Sequence, residues 1–205
     1  MKAKKIVFSL ILVFTMLSFC CVLVYWFFKI EFKTLYKNEI VLELNSIENK
    51  NQNLTLPFVL AIIKAESSFN ENAKSASNAY GLMQITFSTG VEVAEKLGFS
   101  IEKEDLFNAK TNITLGVNYL QYLFSNFSDK RLVLMCYNAG ITRVNEWIRN
   151  GEIEERGTNL SCPYQETNIY IKKVLKNEKI YKKITREWWK FYTQTQKLLM
   201  EKIVN

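Results

Sequence analysis

The chain has 205 residues, 27 of them basic and 20 acidic, with four cysteines and no histidine. The missing histidine excludes Ser-His-Asp and Cys-His nucleophile systems and the usual His-containing catalytic zinc sites, so neither metal nor cofactor is expected. The formal charge of +7 comes from the two ends: three lysines at the N-terminus, and ten basic against four acidic residues over 166–205, whereas residues 29–165 carry 14 basic against 16 acidic; this suits an anionic wall polymer or membrane surface rather than a nucleic-acid groove.

Ile6 to Phe28 is an uninterrupted uncharged run of 23 residues, long enough at about 1.5 Å per residue to cross a bilayer. Lys2, Lys4 and Lys5 precede it without an acid. The positive-inside rule therefore puts the N-terminus in the cytoplasm and everything after Lys29 outside. A cleaved signal peptide is the competing reading, but its apolar region is usually shorter and ends in a small-x-small site, and neither feature is present. Leu17-Ser18-Phe19-Cys20 approximates a lipoprotein signal with Phe19 where a small residue is expected. Cys20 and Cys21 fall in this run, leaving Cys136 and Cys162, taken as buried thiols with pairing open.

Apolar positions at Phe32, Leu35, Tyr36, Ile40, Val41 and Leu44 predict an amphipathic helix from Lys29 to about Leu44, and the polar, Asn-rich 45–53 predicts a loop. Pro57 suits the first turn of a helix. The six residues after it are apolar all the way round, as in a buried helix. Glu66 sits at the end of this rod, one turn from Ile62 and Ile63 and near converging carbonyls, so desolvation and the helix dipole both oppose its ionisation. Either this carboxyl serves as a general acid near neutrality, or it rotates out to solvent.

The small and polar run Asn70 to Tyr80 predicts a recognition loop. Helices follow over Gly90–Leu97, closed by Gly98, then Asn112–Phe127, Arg131–Tyr137 and Val144–Arg149. The segment from Glu166 through Tyr170, Val174, Leu175, Tyr181 and Ile184 is a basic amphipathic helix. Beyond it Trp188, Trp189, Phe191 and Tyr192 cluster, and the helix either packs on the domain or lies at a membrane interface. No stretch alternates with period two, so the fold is expected to be almost entirely helical.

Four blocks together resemble the catalytic domain of soluble lytic transglycosylases, bacterial relatives of goose-type lysozyme. They are Glu66-Ser67-Ser68-Phe69-Asn70, Gly81-Leu82-Met83-Gln84-Ile85, Tyr137-Asn138-Ala139-Gly140, and Glu166-Thr167-x-x-Tyr170-Ile171. Between the second and third lies Asn112-Ile113-x-x-Gly116-x-x-Tyr119-Leu120, and the resemblance covers roughly residues 33–184. It implies an all-α, lysozyme-like domain that cleaves the β-1,4 bond between N-acetylmuramic acid and N-acetylglucosamine in peptidoglycan, leaving 1,6-anhydromuramoyl ends. By position, Glu66 would be the single catalytic acid. Ser75 would contact the sugar, Met83 and Gln84 would line the cleft, Tyr137 and Asn138 would lie beside the acid, and Glu166 and Tyr170 would close the far side. Phe87 and Glu71 stand where the family commonly has proline, and Cys136 where alanine is usual.

The implied division is an anchor over 1–28, a helix and polar linker over 29–56, a catalytic domain over 57–184 and an aromatic, basic helical tail over 185–205. Most glycosidases need two carboxylates, and only Glu66 has the apolar setting; one suffices if the substrate supplies its own nucleophiles. The expected partners are peptidoglycan strands and the cytoplasmic membrane, with no nucleic acid. The alternatives are a lysozyme-type hydrolase on the same fold and a non-catalytic peptidoglycan-binding scaffold.

Overall fold

The computed structural model describes residues 13–20, 22–23, 34–153 and 162–204, the last stretch beyond 186 as backbone. The chain divides into two compact units, Met1–Thr34 and Leu35–Asn205. In the first, residues 13–20 and 22–23 are helical and exposed. The remainder of the predicted span Ile6–Phe28 lies outside the described residues, and among the described residues no helix is long and apolar enough to cross a membrane.

The second unit is built on seven helices and one short ribbon among its described residues: α1 (Lys37–Ser46), α2 (Leu56–Glu66), β1 (Ala79–Tyr80), β2 (Ile85–Thr86), α3 (Phe87–Lys96), α4 (Ala109–Asn126), α5 (Lys130–Ala139), α6 (Ile141–Arg149) and α7 (Gln165–Val204), with a 3-10 turn at Lys103–Phe107. Pro57 stands in the first turn of α2, where its missing N–H costs nothing. Every residue from Phe58 to Ile63 is fully buried. Burying five large side chains contributes of the order of 10 kcal/mol of transfer free energy before chain entropy is counted. The layers around α2 follow from its all-round apolarity: α7 packs on it most extensively, α1 lies against α2 and α4, and α5 joins α4, α6 and α7. Helix α7 passes residue 184 without a break.

Two helix ends show the local chemistry that places them. Thr86 caps α3 by accepting the Thr89 N–H. At the other end the Gly98 and Phe99 amides donate back to the Glu95 and Ala94 carbonyls, with Gly98 at φ +81°, a glycine-terminated Schellman arrangement.

One element departs from the all-helical expectation. β1 and β2 pair antiparallel, with Ala79 opposite Thr86 and Tyr80 opposite Ile85. Two residues per strand are too few to show a period, which is why alternation gave no sign of them. The ribbon is pinned from outside by Asn112 on α4, a fully buried polar side chain. Its Oδ1 accepts the Met83 N–H at 2.7 Å, and its Nδ2 donates to the carbonyls of Tyr80 at 2.9 Å and Leu106 at 2.8 Å. Gly81, at φ +74°, lies so close that a Cβ there would stand 2.2 Å from the Leu106 oxygen.

Replacing Asn112 with Ala leaves three buried backbone groups without partners, so the unfolding free energy falls by about 3 kcal/mol or more. Urea titration reads this as a lowered midpoint with an unchanged slope.

Candidate active site

The last residue of α2 is Glu66. Behind it the chain reverses: Ser68 and Phe69 take φ of +51° and +68°, and the Ser67 hydroxyl accepts the Phe69 N–H while donating to the Leu82 carbonyl at 2.8 Å. The end of α2 is thus tied to the turn that joins the two strands. Glu66 keeps only a minor part of its surface in solvent. Desolvation pushes its carboxyl up from 4.5 to about 7, against the opposing pull of the Tyr170 hydroxyl and the Lys173 charge. Both come from α7, three residues apart and so on one face; the Lys173 ammonium also donates to the Ala65 carbonyl at 2.8 Å.

Two tyrosines face the acid. Tyr137 on α5 donates to the Met83 carbonyl at 2.7 Å, and burial together with the Glu66 and Tyr119 charges holds its hydroxyl far above 10. The Tyr170 hydroxyl is buried without a partner of full hydrogen-bond geometry, yet it lies near enough to Glu66 to favour the ionised carboxylate. Its own ionisation is pushed well above 10, chiefly by burial.

Beside Tyr137 opens a recess of about 290 Å³, lined by Gln84, Ile85, Thr86, Thr89, Tyr119, Tyr137, Asn138, Ala139 and Gly140. No carboxylate lines it. Gln84, at φ +49°, spends its amide protons on the Ala73 carbonyl and the Gly81 carbonyl, leaving Oε1 as its hydrogen-bonding atom. Exposed Asn138 accepts the Thr167 hydroxyl at 2.9 Å, which leaves its amide protons. Among the described residues no group of three or more Cys, Asp or Glu could hold a metal ion.

The structure therefore brings Glu66, Tyr137 and Tyr170 together, with Gln84 and Asn138 alongside Tyr137. Three expected residues stand otherwise. The Met83 side chain is fully buried against Gly116, where a Cβ would come within 2.4 Å of its sulfur; its carbonyl, not its side chain, meets Tyr137. Ser75 accepts the Ala79 N–H at 3.1 Å, closing the loop with its oxygen while its proton stays available. Glu166 is exposed in the first turn of α7, and no hydrogen bond or ion pair described here engages it. Cys136 and Cys162 are unpaired, buried thiols.

Sequence reasoning missed Tyr119 and Lys173. Tyr119 lines the recess with its ring 5.6 Å from that of Tyr137, and burial raises its hydroxyl to about 12. Its place in the Gly116-x-x-Tyr119 block was the available signal. For Lys173 the signal was its position three residues after Tyr170.

The profile of the transglycosylase SLT domain matches residues 43–159. The chain is 34% identical over 140 residues to a protein of Salmonella typhimurium described as a soluble lytic murein transglycosylase, covering 65% of this chain and 21% of that protein. It is 40% identical over 91 residues to a membrane-bound lytic murein transglycosylase E of Buchnera aphidicola, covering 42% and 41%. Among solved structures, the inactive glutamate-to-glutamine mutant of lytic transglycosylase Slt from Pseudomonas aeruginosa superposes with a TM-score of 0.65 at 28% identity, covering 78% of this chain and 26% of that one. The chain thus spans about a fifth of the length of the soluble curated relatives that it matches.

Folded Glu66 keeps its proton up to about pH 7, an unfolded glutamate only to about 4.5. The folded state therefore binds the extra proton between those values, and stability falls as pH rises through that window. Glu66→Gln removes this loss: unfolding free energy should rise by about 2–3 kcal/mol over wild type at pH 8 and hardly change at pH 4, as read by denaturant titration. Lys173→Met removes a charge that favours the carboxylate, so the Glu66 titration followed by carbon-13 NMR should move to higher pH.

Proposed function

We propose that this chain, which belongs to the transglycosylase SLT domain family, is a peptidoglycan lytic transglycosylase that cuts the β-1,4 bond between N-acetylmuramic acid and N-acetylglucosamine. The observation that carries the proposal is the single carboxyl at about 7, set against Tyr170 and against Tyr137, which lines a neighbouring recess that holds no acid of its own. A group with that pKa is half protonated at neutrality, which serves both directions of proton transfer.

In the first step Glu66 gives its proton to the glycosidic oxygen, and the N-acetylglucosamine hydroxyl leaves. The muramoyl 2-acetamido group supports the positive charge at the anomeric carbon. Glu66, now a carboxylate, is stabilised by the Tyr170 hydroxyl turned toward it and by Lys173. It then takes the proton of the same sugar's 6-hydroxyl as that oxygen bonds to the anomeric carbon. Atoms balance without water, and the product is a 1,6-anhydro end. The proton of Tyr137 is committed to the Met83 carbonyl, so toward the sugar Tyr137 acts as an acceptor, suited to the acetamido N–H or to the developing positive charge. Ser75 supplies a donor, Gln84 Oε1 an acceptor and the Asn138 amide further donors to sugar groups. Met83 acts through its carbonyl, and Glu166 stands at the α7 rim.

The 23-residue apolar run behind a lysine cluster makes residues 1–28 a membrane anchor in this reading, with 57–184 as the catalytic region on the extracytoplasmic side. A relative described as membrane-bound supports that arrangement, although other relatives are described as soluble.

Mass spectrometry of digested peptidoglycan tests the proposal. Wild-type protein should release muropeptides one water lighter than hydrolysed ones, and Glu66→Gln should lower release by roughly 10³-fold. The wild-type rate should decline as pH rises above about 7, where the acid has lost its proton. Hydrolysed ends would make the chain a lysozyme instead, and binding without release would make it a scaffold.

A further inference from the structure

A second recess, of about 390 Å³, opens on the other side of Thr86 and is walled by Tyr80, Phe87, Ser77, Ser88 and Lys103. Thr86 lines this recess and the one beside Tyr137 alike, so the two share a rim across the end of β2. The composition of the second is unlike that of the first. No acid lines it. The ammonium groups of Lys103 and Lys74 lie 5.3 and 5.7 Å from the centroid of the Tyr80 ring, and among the described residues neither lysine is in an ion pair. Of the two, Lys103 lines the recess, and an ammonium group on a recess wall that carries no acid favours an anion there. Phe87 supplies an apolar wall that is 39% exposed, at the position where the family commonly has proline. The Ser77 hydroxyl supplies a neutral donor, while the Ser88 hydroxyl bonds Thr86 at 3.2 Å.

We propose that this recess is an accessory subsite for an oxyanion carried on the glycan strand held in the neighbouring cleft. The proposal rests on the reading of that cleft as a glycan site. The shared rim means that the anion reaches the recess while attached to the strand, as a substituent one or two sugars from the bond that is cut. Two substituents carry the right chemistry: the carboxylates of a stem peptide, and a phosphoryl group linking the strand to another wall polymer. Lys103 supplies the charge, Ser77 a neutral hydrogen bond, and Tyr80 and Phe87 the walls against which the apolar part of the substituent lies. The lysines are solvent-exposed, so the contribution is modest and salt-sensitive, and it acts on which strands are bound rather than on the chemical step.

Sedimentation binding of the full-length Glu66→Gln protein to insoluble walls tests this, because the strands then stay uncut. Three wall preparations are compared: intact, stripped of stem peptides by an amidase, and stripped of phosphoryl groups by hydrofluoric acid. On intact walls at low salt, adding Lys103→Ala should weaken binding roughly threefold. Lys103→Arg should retain binding, and Lys110→Ala, which removes the same charge outside the recess, should leave it unchanged. The Lys103→Ala deficit should vanish on one of the two stripped preparations, which identifies the anion. Equal binding of the Lys103→Ala and parent proteins to intact walls would overturn the proposal. So would an equal deficit with Lys110→Ala, or a deficit that survives both treatments. Because turnover is absent from this measurement, the outcome stands apart from whether wild-type digests contain anhydro ends, which tests the catalytic reading alone.

Discussion

A carboxyl group at the end of a helix buried on every side cannot be hydrated as an ordinary glutamate is. That constraint organises the second unit of this protein. Because α2 offers no polar face, neighbouring helices must cover it, α7 most extensively and α1 with it; α7 brings Tyr170 and Lys173 to its C-terminal tip, where Tyr137 of α5 also lies. The same burial that stabilises the fold raises the acid's affinity for its proton. Packing and chemistry are therefore one feature, and the site costs stability wherever the acid must ionise.

The other side of the site is made largely of backbone. The turn between β1 and β2 supplies the Met83 carbonyl that fixes Tyr137, the Leu82 carbonyl that holds Ser67 and the Gly81 carbonyl that orients Gln84. A ribbon with two residues per strand cannot hold such a turn by itself. Asn112 holds it from α4, with each of its bonds buried. In the proposed reading, side chains of α2, α5 and α7 carry the proton chemistry, while one carboxamide on α4 keeps the opposite wall in register.

Much of this was legible from residues alone, and for identifiable reasons. The all-round apolarity of Phe58–Ile63 implied a buried helix and a desolvated Glu66. The helices from α3 to α7 followed from spacing and from stops such as Gly98. What failed was direction. Gln84 of the Gly81-Leu82-Met83-Gln84 block does line a recess, but a motif fixes proximity and not which way a side chain points, and the Met83 side chain, expected in the groove, fills the space over Gly116. Asn112 opens the Asn112-Ile113-x-x-Gly116-x-x-Tyr119 block, but its structural task is not legible there, because its partners lie 6, 29 and 32 residues away in sequence. Lys173 became visible as an influence on Glu66 only once α7 lay against α2. The ribbon was too short for any period to register.

The absence of histidine, first useful for ruling out mechanisms, has another consequence once Glu66 is seen to titrate near 7. Imidazole is the side chain that ordinarily buffers proteins in the neutral range, and this sequence has none. Among the described side chains, proton uptake around pH 7 is thus left largely to one group, the Glu66 carboxyl at the end of α2. The protein carries its own reporter there: with no imidazole to overlap it, the carboxyl contributes a distinct step to a potentiometric trace near neutrality.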